Sequence, residues 1–198
     1  MKKNRTFLIC LIGVMSALST VIYLIFPEIP LVPGVDYLKI DFSDIPAVIS
    51  AVLCGPFAGI CVEIIKNAIH LLRTTTLGIG ELMNIGIGSA MIGSLYFSLK
   101  YFSKKLKNHF FSPNVYYLSA VIAVIVTVIA GWLLNGLLTP VFFALSGIPI
   151  TAASIIAGVT GSTLLNAVKA AVNLLVFYPV YFAIYKAAPN KNGIDNKK

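Results

Sequence analysis

The chain has 198 residues, of which 58% are hydrophobic and only 11% are charged, and its mean hydropathy is +0.91. Soluble domains carry about 25% charged residues, so this composition excludes an ordinary soluble domain and predicts one integral membrane domain over 1–198. The net charge of +8 does not indicate a nucleic-acid partner, because the basic residues lie at the ends of apolar stretches, as membrane topology requires.

Six apolar stretches predict six membrane-spanning helices. The predicted spans cover approximately 7–26, 45–54, 57–72, 81–99, 116–138 and 162–185. A Pro-rich acidic loop, 27–44, follows the first span, and a basic tail, 187–198, which we expect to be flexible, follows the last. The N-terminal stretch lacks a small-residue cleavage site, so we expect it to be a retained first span rather than a signal peptide.

The distribution of charge decides whether the apolar run 45–72 forms one helix or two. Eleven of the fifteen Lys and Arg residues lie in three clusters, at 2–5, 100–107 and 186–198. If all three clusters face the cytoplasm, an even number of spans must separate each pair. Two helices that meet at Gly55-Pro56 satisfy this condition, and one helix does not. We therefore predict an all-α bundle of six membrane helices with both termini in the cytoplasm.

The last predicted span carries polar side chains where a membrane helix is normally apolar. Asn166, Lys169 and Asn173 lie at i, i+3 and i+7 and therefore share one helical face. A lysine near the centre of a bilayer costs at least about 2.5–3.5 kcal/mol, so Lys169 is expected to face the interior of the bundle or a polar cavity. This pattern predicts a helical bundle built around one polar cavity.

Three other spans carry polar residues at helical spacing. They are Glu63, Lys66, Asn67 and His70 in the third span, Glu81, Asn84 and Gly88 in the fourth, and Trp132, Asn135 and Thr139 in the fifth. These stripes lie toward the predicted outer halves of the helices, so the cavity is expected to open outward and to accept a small polar or amphipathic molecule. Two alternatives to a cavity-lining role stay open. Glu63 and Lys66 could form an ion pair that serves only to neutralise their charges, and Glu81 could be a first-turn acid favoured by the helix dipole.

The first span has a different pattern. Gly13 and Ala17, together with Ser16 and Thr20, predict one smooth small-residue face against which another helix can pack closely. The three cysteines lie in apolar runs without metal-ligand spacing, so we interpret them as small buried hydrophobic residues.

Several catalytic and nucleotide-binding motifs are absent from the sequence. No Gly-Lys dipeptide occurs, so the chain has no phosphate-binding loop of the G-x-x-x-x-G-K-[ST] type, and it contains neither H-E-x-x-H nor G-x-S-x-G. We expect a transport protein that moves its ligand down a concentration gradient, couples transport to an ion gradient, or obtains energy from the ATPase of other subunits.

Three segments carry a family resemblance: Lys39-Ile-Asp-Phe-Ser-Asp-Ile-Pro46, Gly55-Pro-Phe-Ala-Gly59 and Glu63-Ile-Ile-Lys-Asn67. With them, about residues 7–186 resemble the substrate-binding (S) components of energy-coupling-factor (ECF) vitamin transporters, and in particular the riboflavin-specific branch. The resemblance implies a bacterial multi-pass membrane protein that binds riboflavin under the loop 27–44. A membrane coupling subunit and two cytoplasmic ATPases would supply the energy, with no cofactor, no metal and no catalysis in this chain.

The resemblance also implies the positions of the ligand and partner sites. Asn135 and the Asn166/Lys169 pair match the residues that hold the isoalloxazine ring, and the helix-one face at Gly13 and Ala17 matches the contact with the coupling subunit. The full predicted substrate site comprises Asn135, Asn166, Lys169, Asn84, Glu63, Lys66, Asn67, Asp41 and Leu38. Two alternatives remain open: an S component for another vitamin, and an intramembrane enzyme that uses Glu63, Lys66 and His70 as acid–base groups.

Overall fold

The computed structural model describes residues 5–25, 29–30, 39–74, 76–108, 110–147 and 149–187. This part of the chain forms six α-helices: α1 (Arg5–Ile25), α2 (Ile45–Cys54), α3 (Pro56–His70), α4 (Ile79–Lys105), α5 (Pro113–Leu145) and α6 (Ala152–Ala187). A 3-10 turn, Leu71–Arg73, follows α3, and the short strands β1 (Ile29–Pro30) and β2 (Lys39–Ile40) pair antiparallel between α1 and α2. Four helices, α1, α4, α5 and α6, are long and apolar enough to cross a membrane. The prediction of a helical integral membrane protein is therefore confirmed.

A sharp turn at Gly55 divides the apolar run 45–72 into α2 and α3. Gly55 has a φ of +103°, a conformation that L side chains rarely adopt, and Pro56 occupies the first turn of α3. The two helices then pack with their backbones close together, because a Cβ atom on Gly59 would lie 2.6 Å from the Ala47 carbonyl oxygen. With ten residues, α2 rises only about 15 Å, half of a hydrocarbon core of about 30 Å.

The short α2 places irregular backbone inside the bundle. Asp41, Ser43 and Asp44 immediately precede α2 and are all buried. Ser19 of α1 donates a hydrogen bond to the Ser43 carbonyl oxygen, and the Ser43 amide donates to Asp41 Oδ1 at 2.9 Å. Buried non-helical backbone needs hydrogen-bond partners, and here α1 and the segment itself supply them.

Helices α5 and α6 are longer than the predicted spans. The predicted spans end at 138 and begin again at 162, but α5 continues through Pro140 to Leu145 and α6 already begins at Ala152. A proline inside a membrane helix is tolerated because neighbouring groups can satisfy the carbonyl it leaves unpaired. At 33 and 36 residues the two helices are each about 50 Å long, so their ends extend beyond a hydrocarbon core.

The apolar core lies toward one end of the bundle, near the end of α4, the start of α5 and the end of α6. Its buried aromatic side chains are Tyr116, Phe177 and Tyr181, and the Tyr181 hydroxyl donates to the Phe110 carbonyl at 2.5 Å. Because apolar side chains fill this end, the polar side chains of α3 to α6 gather toward the other end.

The prediction of one small-residue face on α1 is wrong. Ser16 and Thr20 are buried against the bundle, whereas Gly13 and Ala17 are exposed. Successive residues of an α-helix are rotated by about 100° around its axis, so residues three positions apart are offset by about 60°. The boundary of the buried face passes between the two pairs. Only the stripe with Gly13 and Ala17 is open to a partner.

Candidate ligand-binding site

Five charged side chains from three parts of the chain meet in the interior, and we call them the ion cluster. Asp41 and Asp44 come from the segment before α2, Glu63 and Lys66 from α3, and Lys169 from α6. Glu63 and Lys66 are completely buried, and 12% of the Lys169 side chain is exposed. Buried charges must be paired, and the ion cluster pairs each lysine with two carboxylates.

Asp44 joins the two lysines. Lys66 Nζ lies 2.6 Å from Asp44 Oδ1 and 2.8 Å from Glu63 Oε2. Lys169 Nζ lies 3.2 Å from Asp44 Oδ2 and 2.9 Å from Asp41 Oδ2. Asp44 therefore directs one carboxylate oxygen toward each lysine.

A row of asparagines extends the network from Lys169 to α3. Lys169 Nζ donates to Asn84 Oδ1 at 3.0 Å, Asn84 Nδ2 donates to Asn67 Oδ1 at 3.0 Å, and Asn67 Nδ2 donates to the Glu63 carbonyl at 2.8 Å. An ammonium group has three N–H donors. Lys169 therefore has one acceptor for each donor: Asp41, Asp44 and Asn84.

A cleft opens beside Lys169 between α4, α5 and α6. Its cavity volume is only about 10 Å³, roughly the room that one water molecule needs, and its lining is partly polar and partly apolar. The lining residues are Asp44, Asn84, Ile87, Gly88, Met91, Thr127, Asn166, Lys169 and Ala170. Small-molecule sites typically measure about 300–1,000 Å³, so a flavin-sized ligand needs some of these side chains to move apart.

Asn166 is a polar side chain of the cleft lining whose amide is available to a ligand. Within the described ranges its amide has no hydrogen-bond partner, although the residue is only half-exposed. Nearby on α5, Asn135 is buried and its Nδ2 donates to the Gly131 carbonyl at 2.7 Å. An asparagine amide offers both a donor and an acceptor, so Asn166 can complement a ligand edge that presents the same pair of groups.

Trp132 does not lie on the face of Asn135, and that prediction is wrong. The indole is 59% exposed, while Gly131, Asn135 and Thr139 form the buried stripe of α5. Spacing of i, i+4 and i+8 keeps these three residues inward, and Trp132 lies one residue further round the helix, on the outer surface.

Glu81 belongs to a second polar group, at the connection between α3 and α4. Its Oε1 lies 2.8 Å from His70 Nδ1, and its Oε2 accepts hydrogen bonds from Thr74 at 2.9 Å and Thr76 at 3.1 Å. The Tyr23 ring of α1 stacks on His70 at 4.0 Å between centroids. Glu81 is in the first turn of α4, as expected for an acid that the helix dipole favours. Its hydrogen bonds hold the α3–α4 connection together outside the cleft.

The structure brings most of the predicted site residues together, but at different depths. Asn84, Asn166 and Lys169 line the cleft, and Asp41 contacts Lys169. Glu63, Lys66 and Asn67 are fully buried and contact the cleft residues Gly88, Asp44 and Asn84 from behind. Asn135 contacts Gly131, and Leu38 lies outside the described residues.

Sequence reasoning did not assign Asp44 and Gly131 to the site. Asp44 lies in the Lys39–Pro46 segment directly before the helix-initiating Pro46, so its acidic side chain at a buried helix start was the available signal. The sequence did not indicate a role for Gly131 at the site, because a lone glycine in an apolar helix has many structural explanations. Asn173, on the predicted α6 face, is buried and donates to the Asp41 carbonyl at 3.2 Å.

Comparisons with protein families and with individual proteins all match this chain to transporters or their components. A family model described as "ECF transporter, substrate-specific component" matches residues 8–181. The riboflavin transporter FmnP of Bacillus subtilis is 38% identical over 87 residues, which cover 41% of this chain and 43% of that protein. The riboflavin transporter RibU of Lactococcus lactis is 31% identical over 146 residues, which cover 72% of this chain and 64% of that protein. The matched regions thus span less than two thirds of each relative.

A solved structure shows the same fold over a larger share of the chain. The S component of a bacterial ECF transporter superposes with a TM-score of 0.72 at 26% sequence identity, and the match covers 93% of this chain and 98% of the solved one. The fold match therefore extends over nearly the whole chain.

Proposed function

The chain belongs to the substrate-specific components of ECF transporters, and from this membership we propose that it is the riboflavin-binding subunit of such a transporter. The relatives named as riboflavin transporters support riboflavin as the ligand. Membership in a transporter family overturns the alternative of an intramembrane enzyme. The enzyme's supposed acid–base groups are also engaged elsewhere, since Glu63 and Lys66 are sealed in the ion cluster and His70 contacts Glu81.

The observation that carries the proposal is the unpaired amide of Asn166 in the cleft. The polar edge of an isoalloxazine ring presents an N–H donor next to carbonyl acceptors, which one carboxamide can match with a donor and an acceptor. Asn135 adds a second amide from α5. The apolar part of the lining, with Ile87 and Met91, suits the flat ring itself. Buried polar groups that pair only with the correct ligand discriminate more strongly than apolar contacts do.

Lys169 is proposed to act at the same edge of the ring. Its three donors already have the three acceptors Asp41, Asp44 and Asn84, so a ligand carbonyl must replace or share one of them. The free-energy cost of that exchange is limited, because Lys169 keeps an ion pair with at least one carboxylate whichever acceptor the ligand replaces. Asp41 precedes α2, so the exchange would couple ligand binding to the end of the loop 27–44 that we propose closes over the vitamin.

We propose that all six helices lie in a bacterial cell membrane with both termini in the cytoplasm and the loop 27–44 outside. The α2–α3 hairpin supports the even number of spans that the three basic clusters require. Although α2 is short, it reverses the chain direction, and the buried segment 41–44 completes its path. The single membrane domain then extends over 1–198, with the tail 187–198 on the cytoplasmic side.

The proposed partners are a membrane coupling subunit and two cytoplasmic ATPases, which fits a chain without a phosphate-binding loop. The exposed stripe at Gly13 and Ala17 on α1 is the proposed contact with the coupling subunit. Apart from its own helix backbone and its two chain neighbours, no atom of the described residues lies within 4 Å of the position that a Cβ on Gly13 would occupy, so a partner helix can approach the backbone closely there.

The absorption spectrum of the purified protein tests the proposed ligand. Protein from cells supplied with riboflavin should be yellow, with flavin fluorescence quenched until the protein is denatured. A colourless protein that also leaves added riboflavin fully fluorescent would contradict the proposal. In vesicles that contain this chain alone, ATP should drive no riboflavin accumulation, and accumulation without partner subunits would refute the dependence on a separate motor.

A further inference from the structure

Gly131 of α5 contacts both asparagines of the proposed site. Its carbonyl oxygen accepts the hydrogen bond from Asn135 Nδ2 at 2.7 Å, one turn further along the same helix. On its other side it faces α6, where a Cβ atom added at position 131 would lie 2.7 Å from Asn166 Nδ2. A heavy-atom contact of this length is far inside van der Waals distance. The Asn166 amide therefore occupies the space that a side chain at position 131 would need.

The group that a side chain at 131 would displace is the end of the Asn166 side chain and not backbone. The added Cβ would lie 3.3 Å from Asn166 Cγ and 3.4 Å from Asn166 Cβ, separations that a shift of a few tenths of an ångström accommodates. The amide can therefore rotate away while α5 and α6 stay packed. Glycine inside a helix lowers its stability relative to alanine, so the helix itself gains nothing from a glycine at this buried position.

We propose that Gly131 is a positioning residue for the ligand: its missing side chain lets the Asn166 amide lie against α5 near Asn135, so that both amides face one ligand edge. The inference rests on the proposed function, because it assigns Gly131 to the same flavin site. Gly131 itself need not touch the ligand. Its role is to fix the rotamer of Asn166, and any larger residue at this position would turn that amide out of the binding orientation.

The test compares Gly131→Ala with Gly136→Ala, a matched control on the same helix. In the described part of the chain, a Cβ at position 136 meets no atom of another helix within 4 Å, so this control raises helix propensity to the same extent without displacing Asn166. Riboflavin affinity is measured by fluorescence quenching, and the thermal unfolding midpoint, Tm, is measured in the same detergent without ligand. The same Gly131→Ala substitution is then made in an Asn166→Ala background.

Gly131→Ala is expected to weaken riboflavin binding by about fivefold or more, as the loss of one buried hydrogen-bonding group would, with Tm unchanged or higher. Gly136→Ala should bind as the wild type does. In the Asn166→Ala background, Gly131→Ala should cause no further loss, because the amide it displaces is gone.

Three results would overturn the inference while the wild type still binds riboflavin: unchanged affinity in Gly131→Ala, a full second loss in the Asn166→Ala background, or an affinity loss that accompanies a lower Tm. A wild-type protein that does not bind riboflavin would instead be a failure of the proposed function.

Discussion

Lys66→Met should destabilise the protein much more than Asp44→Asn, although the two side chains contact each other at 2.6 Å. With all its members ionised, the ion cluster contains three carboxylates and two ammonium groups, and so carries one net negative charge. Removing Lys66 leaves three carboxylates around Lys169. Replacing Asp44 by Asn leaves two carboxylates and two lysines, so the charges balance, and each lysine keeps one carboxylate.

The magnitudes follow from this difference in charge. Loss of Lys66 leaves Glu63 without its cation in a fully buried position, which typically costs about 3–5 kcal/mol. Asp44→Asn keeps an oxygen acceptor but loses charge-assisted hydrogen bonds, which costs about 1–3 kcal/mol. For a protein of this size, 1 kcal/mol shifts Tm by about 2–4 °C. We therefore expect Tm to fall by about 6–20 °C in Lys66→Met and by about 2–12 °C in Asp44→Asn.

Thermal unfolding of the purified protein in detergent measures both variants under the same conditions. Lys104→Met serves as the matched control, because Lys104 is exposed in the last turn of α4, and its Tm should equal that of the wild type. Glu63→Gln added to Lys66→Met should restore part of the loss, since it removes one uncompensated carboxylate. Equal losses in Lys66→Met and Asp44→Asn, or no restoration by Glu63→Gln, would refute the argument from charge balance.

Three further outcomes are expected. Asn166→Ala should weaken riboflavin binding about 5- to 150-fold in a fluorescence titration, because it removes one or more buried hydrogen bonds; unchanged affinity would place the ligand elsewhere. Gly59→Val should lower Tm because its Cβ would lie 2.6 Å from a backbone oxygen of α2, whereas Gly93→Ala, with open space around it, should not. In cells expressing a variant without its native cysteines, a cysteine at position 36 should react with an impermeant reagent and one at 104 should not; the reverse pattern would exclude the proposed orientation.

The helical class and the break at Gly55-Pro56 were predictable because both depend on local chemistry. Apolar length predicts membrane helices directly, and a Gly-Pro pair within an apolar run predicts a turn. The extensions of α5 and α6 were not predictable in this way. From the local sequence, Pro140 predicts a helix end. In a bundle, packing against neighbouring helices lets the helix continue through it.

The composition of the site was partly predictable, and its depth was not. Helical spacing correctly brought Asn166, Lys169 and Asn173 to one inward face, because that relation depends only on the geometry of one helix. Which residue reaches the ligand depends on contacts between helices. Lys66 follows its helical stripe as predicted but is sealed behind Asp44, and nothing local to α5 indicates that Gly131 makes room for Asn166 on α6.

An equilibrium titration of the purified chain with riboflavin tests the central claim most directly. The account predicts saturable quenching of flavin fluorescence at one riboflavin per chain, without any partner subunit and without ATP. Excess thiamine or biotin should not displace the flavin, since neither presents the polar ring edge that the asparagine amides are proposed to bind. Absence of quenching, or equal displacement by an unrelated vitamin, would contradict the account.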